Sequence, residues 1–235
     1  MSEPRIWAVL PAAGVGRRMG GPLPKQYLPL AGRPVIARTL DRLLALPAVH
    51  GAVVALSPED NHWDALAYRH RKPVHRVPGG AERSDSVQSA LHWLAEQGGV
   101  RDYALVHDAV RPCVGMAELE RLIDSARDER GGLLAFPVRD TLKRDDGDGH
   151  VARTMDREGL WHALTPQLFP VMALHEALVK AAEAGLTITD DASAIEAVGG
   201  RPRLIPGEAT NIKITRPADL ALAEAILAAQ GGTGA

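Results

Sequence analysis

The chain has 235 residues, a formal net charge of −2, 4% aromatic residues and one cysteine, Cys113. That length suffices for one large α/β domain with a sizeable core, and the near-neutral charge and few aromatics argue against a partner made of nucleic acid. A lone cysteine excludes an internal disulfide and a thiolate metal cage, and fits a reducing cytoplasm.

No apolar run reaches the roughly 18–20 residues of a membrane span. The opening MSEPRIW lacks the basic-then-apolar build of a signal peptide. Residues 6–10 form an apolar run that predicts a buried strand. Small or rigid residues follow: Pro11, Ala12, Ala13, Gly14 and Gly16. They leave the backbone open to a ligand. Arg17, Arg18 and Lys25 come next, with Gly20, Gly21, Pro22 and Pro24 keeping the chain irregular. Exposed N–H groups beside cations suit a polyphosphate. Neither common glycine recipe applies. The third glycine of a dinucleotide fingerprint is replaced by Met19, and the next strand ends in Ser57 and Pro58 rather than an acid. A Walker loop would need Gly-Lys-Ser/Thr, which does not occur.

Helical spacing over 33–46 stops at Pro47, and 51–57 reads as a strand. A short helix at 62–70 and a strand at 73–77 follow. Residues 78–99 run from a glycine loop into a helix whose apolar stripe is Val87, Ala90, Leu91 and Leu94. Residues 103–107 read as a buried strand, 116–129 as a charged helix and 133–138 as a further strand. This alternation predicts an α/β fold with a mostly parallel sheet and helices on both faces. The loops at 11–25 and 78–86 and the segment after His107 then leave strand ends and converge on one crevice. The alternation breaks at about 139–165. There the turn DDGDG separates two alternating stretches, as expected of a hairpin arm at about 139–160. Helices are expected at 171–184, at 190–198 with Thr189 as cap, and at 216–229. The whole chain, 1–235, reads as one domain with the arm as a subregion.

Asp108 and Arg111 follow the strand at 103–107. A carboxylate beside a polyphosphate calls for a cation between them, Mg²⁺ or another divalent ion. Arg111 offers a fork for a second phosphate. The alternative is an ion pair at the surface. Ser86 and Asp85 either cap a helix or help read a nucleobase. Lys213, in the alternating run NIKIT, faces solvent by default, and Thr165 reads as a turn residue before Pro166. Cys113 has no base beyond His107, which argues against a thiol nucleophile. Several cations, one metal carboxylate and no nucleophile–base pair favour transfer between phosphates, where positioning and charge neutralisation do most of the work.

PAAGVGRRM with PKQYLPLAGRPV, GGAERSDSV, VHDAVRP, DREGLWHALTPQ, TITDDASA and NIKITRPADL occur in this order. Together they resemble the 2-C-methyl-D-erythritol 4-phosphate cytidylyltransferases of the non-mevalonate isoprenoid pathway, over essentially the whole chain. The first block alone indicates the wider sugar-nucleotidyltransferase superfamily, whereas WHALTPQ and TITDDASA are far more specific.

The resemblance implies a single Rossmann-like domain with a protruding β-arm, acting as a homodimer through that arm in the cytoplasm. It implies CTP and methylerythritol phosphate as substrates, with Mg²⁺. Pro11, Ala12, Ala13, Gly14, Gly16, Arg18 and Lys25 would then hold the triphosphate and part of the nucleotide. Gly80, Ala81, Ser86, Asp108 and Ala109 would complete the nucleotide site. Asp108 would bind the metal and approach the polyol, and Arg111, Thr165, Thr189 and Lys213 would surround the methylerythritol phosphate. Thr141 and Arg157 would reach the neighbouring subunit's site. Arg18, Lys25, Lys213 and Asp108 would carry catalysis. Two positions depart from the family: Val110 stands where alanine is common, adding bulk beside Asp108 and Arg111, and Ala81 where an acid is common. The motifs overlap with those of ribitol 5-phosphate cytidylyltransferases, which stand as the alternative; a nicotinamide oxidoreductase is a remote one.

Overall fold

The apolar run near the start of the chain decides the architecture. In the computed structural model, which describes residues 3–14 and 23–231, it forms β1 (Ile6–Pro11). Ile6, Ala8 and Leu10 enter one hydrophobic cluster, whereas Trp7 and Val9 enter another. Successive side chains of a strand point to opposite faces, so a strand apolar at every position must lie inside a sheet covered on both sides.

The strands that follow are β2 (Pro29–Leu30), β3 (Arg33–Pro34), β4 (Val49–Leu56), β5 (Val74–Pro78), β6 (Tyr103–Val106), β7 (Gly132–Pro137), β8 (Leu142–Asp145), β9 (Val151–Met155), β10 (Trp161–Pro170) and β11 (Arg203–Pro206). The helices are α1 (Val35–Leu44), α2 (His62–Leu66), α3 (Arg83–Glu96), α4 (Met116–Ala126), α5 (Val171–Glu183), α6 (Asp191–Ala197) and α7 (Pro217–Gly231). Among the described residues, seven strands form one sheet in the order β11-β7-β10-β6-β1-β4-β5. β10 runs antiparallel to both of its neighbours, and the other pairings are parallel. α1 and α4 pack on one face through Ile36, Leu40, Leu119 and Leu122. α3, α5 and α6 pack on the other through Leu91, Leu94, Leu174 and Ile195. α7 covers a smaller cluster around Leu30, Val35, Val110 and Ile214.

From β1 the chain winds outward through β4 and β5, then returns through α3 to β6 on β1's other side. The order therefore reverses between β1 and β6, and a crevice opens where strand order reverses in such sheets.

The expected alternation is present, with differences in the last third. β10 and β11 were not expected as strands. Proline argues against a central strand because it cannot donate to the ladder. Pro166 is accommodated because the β10–β7 register shifts between Ala163 and Gln167. Thr165 therefore lies in a central strand and not in a turn. The run NIKIT is irregular rather than extended in a sheet. It is pinned from the side: Ile214 N–H donates to the Val110 carbonyl at 2.9 Å. The cap of α6 is Asp190 rather than Thr189; its carboxylate accepts the Ser193 N–H at 3.0 Å.

The arm is the expected hairpin. β8 and β9 pair antiparallel with Leu142 opposite Met155, and these two are half-buried while their neighbours are exposed. At its base Val138 N–H donates to the Leu160 carbonyl at 2.9 Å, and Arg157 donates to the Arg139 carbonyl. Among the described residues no helix is long and apolar enough to cross a membrane.

Candidate active site

The loop after β1 is held against its neighbours by backbone bonds. Ala12 N–H donates to the Ala55 carbonyl at 2.8 Å, and the Gln26 amide donates to the Ala12 carbonyl at 2.9 Å. A single 3₁₀ turn, Lys25–Tyr27, brings Lys25 to the same rim. The glycine loop after β5 seats on this loop at close range. A Cβ on Gly79 would stand 2.5 Å from the Ala13 Cβ and 2.9 Å from the Ser86 Oγ. Only glycine permits that approach. Ser86 accepts the Gly80 N–H at 3.2 Å and donates to the Glu82 carbonyl at 3.3 Å. Its hydroxyl thus braces the loop, which favours the structural alternative over direct reading of a base.

These loops enclose a cleft of about 150 Å³ lined by Pro11 to Gly14, Lys25, Gly80, Ala81, Ser86, Asp108 and Ala109. A second cleft of about 250 Å³ is lined by Arg111, Thr165, Gln167 and Thr189. Arg83, Asp108 and Lys213 belong to both. The crevice therefore has two lobes joined at one carboxylate. The expected nucleotide residues line the first lobe and the expected polyol phosphate residues line the second. Gly16 and Arg18 lie outside the described residues. Thr141 and Arg157 are on the arm, and the fold of one chain does not bring them to either lobe.

Asp108 is 6% exposed. Oδ1 accepts from Arg83 Nε at 3.1 Å; Oδ2 meets Lys213 Nζ at 2.9 Å and Arg111 Nε at 3.3 Å. Burial alone would raise its pKa, but Arg83, Lys213 and Arg111 together outweigh burial and hold the carboxyl well below its ordinary range. Asp108 is therefore ionised at any physiological pH.

Around this carboxylate lies a buried polar frame. Asp108 N–H donates to Thr165 Oγ1 at 3.1 Å. His107 spans from Thr165 Oγ1, 3.0 Å from Nδ1, to the Arg111 carbonyl, 2.9 Å from Nε2. A carbonyl only accepts, so Nε2 carries the proton and Nδ1 accepts from the threonine. Burial lowers the His107 pKa to about 4, which keeps the ring neutral. Both its nitrogens are committed to structure. Cys113 is fully buried, and burial pushes its thiol up to about 11. Neither group is a candidate nucleophile or base.

Arg83, Asp191, Gln167 and His107 were not singled out as site residues in the sequence. The signal for Arg83 was a cation at the first position of a helix following a glycine loop. Asp191 and Gln167 gave none beyond their place in the TITDDASA and WHALTPQ blocks.

A family model for 2-C-methyl-D-erythritol 4-phosphate cytidylyltransferase matches residues 6–229. The chain belongs to this family. The protein of that name from Halorhodospira halophila is 60% identical over 233 residues, covering 96% of this chain and 95% of the relative. A crystal structure of a 4-diphosphocytidyl-2C-methyl-D-erythritol synthase aligns with a TM-score of 0.85 at 38% identity, covering 96% of this chain and all of that one. The 2-C-methyl-D-erythritol 4-phosphate cytidylyltransferase from Francisella tularensis aligns with a TM-score of 0.82 at 31% identity, over 94% of this chain and 99% of its own.

Val110 and Ala81, the two positions at which the resemblance is imperfect, both line the first lobe. Val110 is 5% exposed and packs with Leu30, Val35 and Ile214, and it also lines the first lobe together with Asp108. Ala81 is exposed on the first lobe.

Proposed function

We propose that this chain transfers CMP from CTP to 2-C-methyl-D-erythritol 4-phosphate, giving 4-diphosphocytidyl-2-C-methyl-D-erythritol and pyrophosphate. The observation that carries the proposal is the two-lobed crevice meeting at a cation-ringed carboxylate, in a chain of this family. CTP occupies the first lobe, with its triphosphate against the loop from Pro11 to Gly14, Arg18 and Lys25. Gly80 and Ala81 meet the base and ribose side through backbone groups. Methylerythritol phosphate occupies the second lobe against Arg111, Thr165 and Thr189. No observation favours ribitol 5-phosphate or a nicotinamide cofactor.

An oxygen of the polyol phosphate attacks the α-phosphorus of CTP in line. One P–O bond forms there, the bond from the α-phosphorus to the bridging oxygen breaks, and pyrophosphate leaves with that electron pair. The attacking phosphate oxygen is already ionised, so no general base is required, in keeping with the structural commitments of His107 and Cys113. Two anions must be held close together, and cations do this work. Lys213 stands where the lobes meet and faces both phosphates. Lys25 and Arg18 stabilise charge on the departing pyrophosphate.

Asp108 suits a divalent cation that arrives on the nucleotide. A carboxylate has about four acceptor sites, and three nitrogens occupy sites on Asp108. One carboxylate plus phosphate oxygens is an ordinary Mg²⁺ donor set. Among the described residues there is no cluster of three metal-ligating side chains that would hold an ion without substrate. Mg²⁺, or another divalent cation, supplies neutralisation of phosphate charge when bound.

The arm completes the partner's site in a homodimer, with Thr141 and Arg157 reaching the substrate phosphate of the second subunit. The enzyme is a single-domain cytoplasmic protein. The test is pyrophosphate release with CTP and methylerythritol phosphate, which should exceed release with ATP, GTP or ribitol 5-phosphate. Equal or better turnover of ribitol 5-phosphate would overturn the choice of polyol.

A further inference from the structure

Arg83 stands at the junction of the two lobes, and each of its three nitrogens donates one hydrogen bond to a carboxylate, so three of its five N–H donors are committed within the protein. Nη1 and Nη2 donate to the two oxygens of Asp191, at 3.1 and 2.8 Å. Nε donates to Asp108 Oδ1 at 3.1 Å. The guanidinium thus bridges two carboxylates along two of its edges, with the side chain 26% exposed. A planar fork bonded at both ends has one orientation.

Asp191 is 1% exposed and is the first residue of α6. It contributes nothing to the cap, which Asp190 provides. The end of α6 is itself latched to β10. Gln167 donates to Asp190 Oδ2 at 2.8 Å and accepts the Ala192 N–H at 2.7 Å. Asp191 is therefore fixed to the strand beside β6, at whose end Asp108 stands. Burying a charge this deeply is costly unless it is paired, and Arg83 is the pair.

Freed of Asp191, an arginine here would be drawn to the nearest phosphate, and Asp108 would lose the bond that sets its Oδ1. We propose that Asp191 is a positioning residue: it holds Arg83 against Asp108 and away from the substrate phosphates, so that the carboxylate at the junction of the lobes keeps one orientation. The inference rests on the cytidylyltransferase reading for its kinetic consequence, but not for its geometry.

The test is a double-mutant cycle with Asp191→Asn, Arg83→Gln and both together, read by steady-state kinetics and by the proton and nitrogen resonances of arginine Nε–H groups. Asp191→Asn should lower kcat about tenfold or more while each KM stays within about threefold. Because Asp191 acts through Arg83, the double variant should be no slower than Arg83→Gln alone. In the wild type without substrate, the Arg83 Nε–H should exchange slowly with water, and Asp191→Asn should make it exchange rapidly. Arg83→Lys keeps the charge but lacks the planar fork that binds Asp191 through two nitrogens while Nε holds Asp108, so it should lose as much kcat as Arg83→Gln. It carries the test if Asp191→Asn does not fold. Additive losses, full activity in Arg83→Lys, or an unchanged Nε–H signal in Asp191→Asn would overturn the proposal. A wild type that makes no cytidylyl product would count against the assigned reaction instead, and the resonance would still report whether Asp191 holds Arg83.

Discussion

The crevice and the arm are built on opposite plans. In the crevice the bonds join distant parts of the chain: Arg83 to Asp108 and Asp191, Arg111 to the Asn211 carbonyl at 2.6 Å, and Asn211 to the Thr165 carbonyl at 2.7 Å. Asp108 and Asp191 are buried, and each is paired with at least one cation. In the arm the bonds are local. Lys143 donates to Thr154 across the hairpin at 2.7 Å, and Asp145 accepts from Gly147 and Gly149 in the turn at 3.1 Å. Apolar side chains remain outside, with Val151 at 62% exposure and Leu160 at 42%. An isolated two-stranded hairpin is marginal in water. The crevice is thus organised by bonds between distant segments of the chain, whereas the arm is held by bonds within itself and keeps apolar side chains exposed.

The contrast breaks most severely if the charges of the crevice are dispensable. Asp108→Asn keeps the shape but removes the charge on which three cations converge, so activity should fall by about 100-fold or more. Excess Mg²⁺ should restore only part of it. Near-normal activity and Mg²⁺ dependence would place the metal carboxylate elsewhere. Lys25→Ala and Lys213→Ala should each lower kcat by roughly 100-fold, the size expected of a preorganised charge stabiliser. A raised KM with unchanged kcat would make the lysine a binder of substrate and no more.

Mixed dimers sharpen the other half. Arg157→Ala and Lys25→Ala, each inactive alone, can be unfolded and refolded together. If Arg157 serves the partner's site, a mixed dimer has one doubly damaged site and one intact site. Random pairing then returns about a quarter of wild-type activity. If Arg157 serves its own site, every site carries a lesion and none returns. Exchange of subunits is checked by mass.

The smallest effect concerns stability. His107 is neutral in the folded state down to about pH 4, while its unfolded counterpart takes up a proton near 6.5. Between these values the unfolded state binds more protons, so stability is lost as pH falls. The loss from pH 7.5 to pH 5 should be on the order of 2 kcal/mol, seen as a lower urea midpoint. His107→Asn should flatten that dependence.

How much was legible in the sequence follows the same divide. β1, the glycine loop and the strand before Asp108 announce themselves because each is a local pattern: an apolar run, then small residues or a charge. The hairpin is legible for the same reason. β10 is not, since Pro166 contradicts a central strand until a register shift accommodates it. The Arg83–Asp191 bond joins residues 108 positions apart, and no local pattern reports such a pairing. The polarity of the Thr165 hydroxyl depends on a histidine 58 residues away. The side chains proposed to touch substrate sit in recognisable motifs. Those that hold them in place became visible only with the fold.

The central claim is that the two lobes bring a cytidine nucleotide and a polyol phosphate to one cation-ringed carboxylate. The most direct measurement is pyrophosphate release by the wild-type protein with CTP, supplied with methylerythritol phosphate or ribitol 5-phosphate under identical Mg²⁺. The expected result is rapid release with methylerythritol phosphate and little with ribitol 5-phosphate, since polar groups left unpaired by the wrong ligand cost about 1–3 kcal/mol each. No release with either polyol phosphate, from folded protein supplied with metal, would contradict the account.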